Sequence, residues 1–325
     1  MLRLIITCLL MLSMGTYAQT ADELQKAFIQ QMVDKHGFEA KALQQLLTEA
    51  NIERPVIKKV NQSAEKKLDW GRYRRIFLTE KRIKQGVDYW QKNQADLQRA
   101  EATYGVPAHI IVAIIGVETS YGRHTGKHSV LKALGTLGFY HKRRGKFFRS
   151  ELSHFLRLTR EEGMDPRKPK GSYAGAMGRP QFISSSYRHY AIDFDGDGKR
   201  DIWHNDADVI GSVANYFAKH GWRPGHPVTA PISGITDQHA TMLAAGYKPR
   251  YPLKDIRAAG IQLPITFNND QLGSLITFKD DKAVEYWLGL KNFYVITRYN
   301  HSPLYAMAVY QLSEAIRERH ATQQH

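Results

Sequence analysis

Glu118 stands at the end of a run of isoleucines, in the segment IIVAIIGVETSYG. The isoleucines recur at the three- and four-residue spacing of a helix face that packs into a core, and Glu118 continues this face. An ionised glutamate is rarely buried unless it is paired, because removing its water is costly. An apolar setting disfavours the charged form, and a carboxyl group held neutral can protonate the leaving oxygen of a glycosidic bond. The alternative is an ordinary glutamate, where the helix reaches solvent before the turn at Gly122.

The acidic stretch DFDGDGKRD has the spacing of a calcium loop, with alternating aspartates and a glycine for the sharp turn. Its oxygen donors, in order, are Asp193, Asp195, Asp197, Lys199 through its carbonyl, and Asp201. His204 replaces the glutamate that usually closes such a loop, so Asp206 or Asp208 would have to close it. A solvated Asp-Gly turn is the alternative. Zinc is disfavoured because the stretch lacks paired histidine or cysteine ligands.

A third set of residues combines polar groups with aromatic rings, as sugar-binding grooves do. Hydrogen bonds there reach the edges of a sugar, and rings stack on its faces. The set contains Arg143, Arg144, Ser172, Tyr173, Gln181, Asn215, Tyr216, Tyr299 and Asn300. Each of them by itself also fits a structural role, and Tyr216 within VANYF fits a helix core by its periodicity.

Helical patterns position most of these residues. They run through the N-terminal third, across the Glu118 segment after Pro107, and through ADVIGSVANYFAKHGW. After Trp222 the segments HPVTAPISG and LGSLITFK are short and β-branched, which predicts strands, and aromatic-rich helical patterns then return. The sequence therefore predicts a mainly α protein of the α+β kind. Its expected regions are a helical region at 19–104, a core at 105–222, a strand-containing region at 223–281 and a return to the core at 282–325.

The charge of the chain indicates an anionic partner. The 325 residues include 46 Lys and Arg against 31 Asp and Glu, which gives a net charge of +15 with histidine neutral. A phospholipid surface, peptidoglycan and nucleic acid would each attract such a protein. Nucleic acid is disfavoured, because the sequence has no nucleic-acid-binding motif and its basic residues are spread from Lys58 to Arg319.

The first eighteen residues, MLRLIITCLLMLSMGTYA, have the layout of a secretory signal. Thr16-Tyr17-Ala18 fits a signal peptidase site, so we expect cleavage after Ala18 and export to the periplasm. The apolar run is too short for a membrane span, and Cys8 is poorly placed for acylation. Cys8 is also the single cysteine, so the mature chain would have no disulfide.

Five motifs, taken together, resemble the lytic murein transglycosylase B family in its soluble periplasmic form. They are, in order, GVETSYG, GSYAGAMGRPQFISSSY, DFDGDGKRDIW, GSVANYF and VITRYNHSPLYAMAVYQL. The resemblance extends from about Ala21 to Ile316, nearly the whole mature chain. It implies a lysozyme-like helical core with added α and β regions.

The resemblance also implies roles for individual residues. Glu118 takes the role of the catalytic acid, Ser172 that of the serine beside it, and Gln181 that of a glutamine in the groove. The other substrate-binding residues that it implies are Tyr73, Arg143, Arg144, Tyr216, Tyr299 and Asn300.

For the metal, the family implies a structural calcium ion. Its ligands would be Asp193, Asp195, Asp197, Lys199, Asp201 and Asp208, the last of these closing the site. Two features depart from the family pattern: the loop is one residue longer than in some members, and Arg179 stands beside Pro180.

The implied reaction cleaves the β-1,4 bond between N-acetylmuramic acid and N-acetylglucosamine without water, and closes a 1,6-anhydro ring on the muramoyl residue. The expected partners are the glycan strands of peptidoglycan, with other cell-wall enzymes as further candidates, and we expect a monomer without a membrane span. Two alternatives stay open. A hydrolytic lysozyme-type muramidase would give reducing-ended products, and a non-catalytic murein-binding scaffold would not need Glu118.

Overall fold

The computed structural model describes residues 20–50, 53–61, 68–264, 266–280 and 283–323. The signal sequence predicted for residues 1–18 lies outside them. The chain divides into two compact units at Glu49 and Ala50. Within the described residues, the first unit consists of helices α1 (Ala21–His36) and α2 (Ala40–Glu49). Helix α1 begins with a capping box between Thr20 and Glu23 and ends at Gly37, which adopts the left-handed conformation.

The second unit is mainly helical, as predicted. Its helices are α3 (Arg54–Asn61), α4 (Trp70–Phe77), α5 (Glu80–Lys92), α6 (Gln94–Tyr104), α7 (Ala108–Thr119), α8 (Val130–Tyr140), α9 (Gly145–Glu161), α10 (Ser184–Tyr190), α11 (Asp206–Lys219), α12 (Ala240–Ala244), α13 (Leu253–Ala258), α14 (Lys291–Tyr299) and α15 (Pro303–Thr322). Its strands are β1 (His128–Ser129), β2 (Lys170–Gly171), β3 (Thr229–Pro231), β4 (Tyr251–Pro252), β5 (Leu272–Lys279) and β6 (Val284–Gly289).

Two helices of the core are buried on all sides. Every residue of α7 from Ile110 to Val117 is buried, and so is every residue of α11 from Ala207 to Phe217. The isoleucines before Glu118 are therefore part of a helix without a solvent face. Helix α7 packs against α5, α6, α11 and α15. Glu118 is the first residue after the buried run that is partly exposed.

Four of the strands form a small antiparallel sheet in the order β3-β6-β5-β4, with Leu275 opposite Leu288, and β1 pairs separately with β2. One side of the sheet packs on α13 through a cluster of apolar side chains: Leu253, Ile256, Ile261, Leu275, Leu288 and Leu290. The sequence grouped VEYWLG with the helical C-terminal patterns, but in the structure it is strand β6. Its pairing with both β3 and β5 decides this, and short apolar runs with aromatic residues fit either state until such partners are known.

The backbone after Glu118 makes an unusual turn. Ser120 and Tyr121 both have a positive backbone φ, of 49° and 61°, which residues other than glycine rarely adopt. The Tyr121 ring lies between α5 and α7, and its hydroxyl donates to the Arg82 carbonyl at 2.9 Å. Gly86 and Gly116 make room for the ring, since a Cβ on either would lie 2.6 Å from its hydroxyl oxygen. The half-buried ring, held between the two helices, thus keeps the turn in this conformation.

Among the described residues, no single helix is long and apolar enough to cross a membrane. Helices α6 and α7, which are joined by a bend of 113°, are long and apolar enough only when the two are taken together.

We expect Gly116→Ala to destabilise the protein by about 1–3 kcal/mol, because the added methyl overlaps the Tyr121 ring held between α5 and α7. Gly135→Ala is the matched control: it is also a buried helical glycine, but the nearest atom to its added Cβ is 4.0 Å away. The control should be neutral or slightly stabilising. Thermal melting of both variants measures the difference, and equal melting temperatures would contradict the proposed fit of Tyr121.

Candidate active site

A short hydrogen bond defines the surroundings of Glu118. The buried Tyr305, in the first turn of α15, donates its hydroxyl to Oε1 of Glu118 at 2.6 Å. Burial raises the pKa of Tyr305 well above its ordinary value, and the charge of Glu118 raises it further. The phenol therefore stays protonated at neutral pH and acts as a fixed donor to the carboxyl group.

Sequence reasoning missed Tyr305. It lies within the motif SPLYAMAVYQL, where Ser302 caps the helix by accepting from the backbone N–H of Tyr305. The motif was visible in the sequence. That this tyrosine meets Glu118, 187 residues away, follows only from the packing of α15 on α7.

Three of the predicted tyrosines lie in the same cluster. The ring of Tyr299 stacks on Tyr305 with centroids 6.4 Å apart, and the ring of Tyr216 lies 4.8 Å from that of Tyr299. Burial raises the pKa of Tyr299, and the charge of Glu118 raises it further. Tyr73 is buried on α4, close enough to Tyr305 to contribute to the raised pKa of that residue. The structure thus brings Tyr73, Tyr216 and Tyr299 together around Glu118 and Tyr305.

The hydroxyls of two of these tyrosines hold the backbone. Tyr299 donates to the carbonyl of Pro180 at 2.6 Å, and Tyr216 donates to the carbonyl of Arg298 at 2.6 Å. A ring whose hydroxyl is fixed in this way presents its face or edge in a defined direction.

A cavity of about 600 Å³ opens beside Tyr216 and Tyr299. Of the predicted residues, Arg144 and Gln181 also line it. The other lining residues are Phe147, Phe182, Ile183, Ser185, Ser186, His189, Tyr190, His220, Arg298 and His301. Two arginines, with no acidic residue in this lining, make the cavity suited to an anionic group. Burial lowers the pKa of His220 and His301, so these two rings are neutral near pH 7 and add no charge.

The paired arginines are separated by the structure. Arg144 lines the cavity, and its guanidinium lies 4.8 Å from the ring centroid of Phe147 and 5.0 Å from that of Phe148. Arg143 is exposed and does not belong to the lining.

The remaining predicted groove residues shape the loops. Ser172 accepts from the backbone N–H groups of Ala174 and Ala176 at 3.2 and 3.0 Å, bonds that use the lone pairs of its hydroxyl but not its proton. Gln181 has a positive φ of 51°, and its amide donates to two carbonyls, those of Thr125 and Gly178. Asn300 is the residue after α14, and its carbonyl accepts from the N–H of Ser302.

In the acidic loop, carboxylate oxygens of Asp193, Asp195 and Asp197 lie within 4.8 Å of one another. Calcium binds oxygen at 2.3–2.6 Å, so ligands on opposite sides of one ion are about 5 Å apart, and the three oxygens fit a single ion. The donors are all oxygen, as calcium prefers. Lys199, the predicted carbonyl ligand, is exposed, and its N–H donates to Asp197 at 2.9 Å.

Asp208 lies fully buried beneath the loop. Its two oxygens accept from the N–H groups of Phe194 at 2.7 Å and Asp201 at 2.8 Å, so it joins both halves of the loop. Burial raises the pKa of Asp208, and the charges of Asp195 and Asp193 add to this. A bound cation would relieve that concentration of negative charge. The carboxylate of Asp201, another predicted ligand, accepts from the backbone N–H groups of Trp203 and His204.

The chain matches the family model described as "Transglycosylase SLT domain" over residues 20–314. It belongs to this family. Membrane-bound lytic murein transglycosylase B of Escherichia coli (strain K12) is 43% identical over 311 residues, which cover 93% of this chain and 84% of that protein. The resemblance to the transglycosylase B family is therefore confirmed.

Solved structures of family members have the same fold. The crystal structure of soluble lytic transglycosylase SltB1 from Pseudomonas aeruginosa matches with a TM-score of 0.86 and 47% identity, covering 91% of this chain and 99% of that one. The structure of Escherichia coli lytic transglycosylase Slt35 in complex with calcium matches with a TM-score of 0.82 and 42% identity. The match covers 92% of this chain and 94% of that one. These matches confirm the lysozyme-like, mainly helical fold.

Proposed function

We propose that this protein is a lytic transglycosylase that cleaves the β-1,4 bond between N-acetylmuramic acid and N-acetylglucosamine in peptidoglycan. Its membership of the transglycosylase SLT domain family supports this function. The observation that carries the proposal is the hydrogen bond from Tyr305 to Glu118, which holds one carboxyl group at the edge of a tyrosine-lined site.

In the first step, Glu118 protonates the glycosidic oxygen as it leaves C1 of the muramoyl residue. Tyr305 donates to Oε1, so the proton to be transferred is carried by Oε2. The hydrogen bond fixes the orientation of the carboxyl group, and it stabilises the carboxylate that remains after the proton has left. The acetamido oxygen of the muramoyl residue supports the positive charge that develops at C1.

In the second step, the C6 hydroxyl of the same muramoyl residue attacks C1. The Glu118 carboxylate takes the proton of this hydroxyl, so the enzyme returns to its starting state and the product ends in a 1,6-anhydro ring. Acid and base are then the same residue. The usual glycosidase needs a second carboxylate as base or nucleophile, but here the substrate supplies both the internal nucleophile and the support for C1.

The cavity beside Tyr216 is the part of the site that we assign to the stem peptide. Peptidoglycan carries carboxylates on the peptides attached to its muramoyl residues. Arg144 and Arg298 give the cavity positive charge, and the Phe147 and Tyr216 rings provide apolar faces. In this proposal Arg143, which is exposed, contributes only long-range attraction.

We expect Glu118→Gln to lower the release of 1,6-anhydromuropeptides from murein sacculi by about 10⁴-fold or more. A positioned acid is typically worth about 10²–10⁴-fold, and this residue must act twice. Glutamine keeps the shape and can still accept from Tyr305, so the variant should fold and bind sacculi as the wild type does. Mass spectrometry of the released muropeptides is the measurement, and sacculus pull-down is the binding control.

Each result of this experiment has a distinct meaning. A near wild-type rate for Glu118→Gln would remove Glu118 from the acid role. Reducing-ended products from the wild type would make the enzyme a hydrolytic muramidase instead.

Tyr305→Phe removes only the hydroxyl that donates to Glu118. A hydrogen bond to a charged group contributes about 1.5–3 kcal/mol, so we expect the rate to fall by about 10- to 100-fold. Tyr310→Phe is the matched control, on the same helix but with its ring against Trp287 rather than at the site, and it should keep nearly full activity. Equal activities of the two variants would argue against a role of Tyr305 in catalysis.

We also propose that the acidic loop binds a calcium ion through Asp193, Asp195 and Asp197, with Asp208 beneath them. The converging oxygens and the calcium complex of Slt35 support this. When bound, calcium neutralises the carboxylates and holds the loop in place. The loop precedes α11, and α11 carries Tyr216 into the site. The contribution of the calcium ion is therefore structural.

Calcium should raise the melting temperature by several degrees over that measured with a chelator. A ligand that binds only the native state stabilises it by about 2.7 kcal/mol at a hundred times its dissociation constant. Asp195→Asn should abolish the shift, whereas Asp165→Asn, in an exposed turn with a bond to Arg167, should keep it. Identical melting curves of the wild type in calcium and chelator would refute the site.

We propose that the mature protein begins at Gln19 and works in the periplasm. Its substrate class and the signal pattern of the first eighteen residues support this location. The intact mass of the exported protein should match a chain that starts at Gln19. A lipid-modified N-terminal Cys8 would contradict the proposal.

A further inference from the structure

We infer that Arg179 is a positioning residue for Glu118, tying the turn that follows the carboxylate to the acidic loop and the first turn of α11. The inference rests on the proposed function, because it concerns how the acid of that reaction is held.

The backbone of Arg179 is bonded on both sides. Its carbonyl accepts from the hydroxyl of Thr119 at 2.9 Å, and its N–H donates to the carbonyl of Ile202 at 2.9 Å. Thr119 is the residue next to Glu118 and is almost fully buried. Its hydroxyl also accepts from the N–H of Gly122 at 3.0 Å, so one side chain closes the turn after Glu118 and anchors it to Arg179.

The Arg179 side chain reaches the other end of the acidic loop. Its Nε donates to the carbonyl of Trp203 at 2.9 Å, and its guanidinium forms an ion pair with Asp206. On the way it passes over Gly122, where a Cβ would lie 2.8 Å from its Nε. Gly122 also has a positive φ of 87°, so this position favours glycine for both reasons.

Asp206 is itself fixed by two other groups. Tyr89 donates to its Oδ1 and Lys92 to its Oδ2, each at 2.9 Å. Asp206 and Asp208 lie in the same first turn of α11, and Asp208 accepts from the loop backbone as described above. This turn therefore holds the acidic loop through one carboxylate and Arg179 through the other.

A lysine cannot replace the two contacts that the Arg179 side chain makes with Trp203 and Asp206. The guanidinium is a planar group that bonds to a carbonyl and a carboxylate at once, whereas an ammonium is a point charge. Arg179→Lys should therefore keep the attraction to Asp206 and the backbone bonds to Thr119 and Ile202, but lose the bond to the Trp203 carbonyl and the defined geometry of the pair with Asp206. The backbone that holds Thr119 would then be less firmly fixed. A small misplacement of a catalytic group can cost up to about 10²-fold in rate.

The test compares Arg179→Lys with Arg188→Lys. Arg188 is a matched control because it is similarly buried and makes a bidentate pair with Glu161, away from Glu118. We expect Arg179→Lys to lower kcat for anhydromuropeptide release by about 10-fold or more. KM, sacculus binding and the folded state should stay at wild-type values, and Arg188→Lys should keep its kcat.

Two further comparisons separate positioning from loss of structure. Thr119→Val removes the hydroxyl that bonds to Arg179 and should lower kcat in the same way, whereas Thr119→Ser retains the hydroxyl and should restore it. Asp206→Asn should also lower kcat, and combining it with Arg179→Lys should add little, because both changes break one connection. If Arg179→Lys fails to fold, the Thr119 pair and Asp206→Asn decide the question.

The inference is overturned if Arg179→Lys loses no more kcat than Arg188→Lys, if its loss is confined to KM, or if Thr119→Ser fails to restore what Thr119→Val removes. If the variants give one of these results but the wild type still releases anhydromuropeptides, the proposed function remains intact. A wild type that releases none would overturn the proposed function, and this inference with it.

Discussion

The proposed chemistry depends on holding one carboxyl group at the end of a helix that has no solvent face. Helix α7 is buried from Ile110 to Val117, so its axis and the position of Glu118 are fixed by packing on four neighbouring helices. The carboxyl group emerges where the apolar surroundings end, and Tyr305 meets it there. Burying this carboxyl group without a hydrogen-bond donor would cost free energy, whereas full exposure would leave water as its only hydrogen-bond partner. The hydrogen bond resolves this conflict.

The tyrosines around Glu118 have a common role. Tyr121, Tyr216, Tyr299 and Tyr305 each donate their hydroxyl to a defined acceptor, three of them to backbone carbonyls and Tyr305 to the carboxyl group. Burial raises the pKa of all four, so they stay neutral and keep donating near neutral pH. The rings of Tyr216, Tyr299 and Tyr305 form an uncharged wall beside Glu118, whereas Tyr121 supports the turn after Glu118 from between α5 and α7. In the cavity beside Tyr216 and Tyr299, positive charge comes from Arg144 and Arg298.

The acidic loop and the carboxylate site are linked by the first turn of α11. Asp208 accepts from the loop backbone, while Asp206, two residues earlier, accepts from Tyr89 and Lys92 and pairs with Arg179. Burial tends to raise the pKa of Asp206, but its bonds to Lys92 and Arg179 outweigh this and lower it. Asp206 is therefore a stable anion. A loop that looks remote in the sequence is in this way part of the frame that supports Glu118.

The sequence by itself determined the features that depend on neighbours along the chain. The isoleucine spacing before Glu118 predicted a core helix, and the alternating aspartates predicted converging oxygens, because both patterns are completed within a dozen residues. Tertiary structure alone decided which distant groups meet. Tyr305 reaches Glu118 from 187 residues away, and VEYWLG became a strand because β3 and β5 flank it. Periodicity records which face of an element is apolar, but the partner of that face depends on how the elements pack, which no local pattern contains.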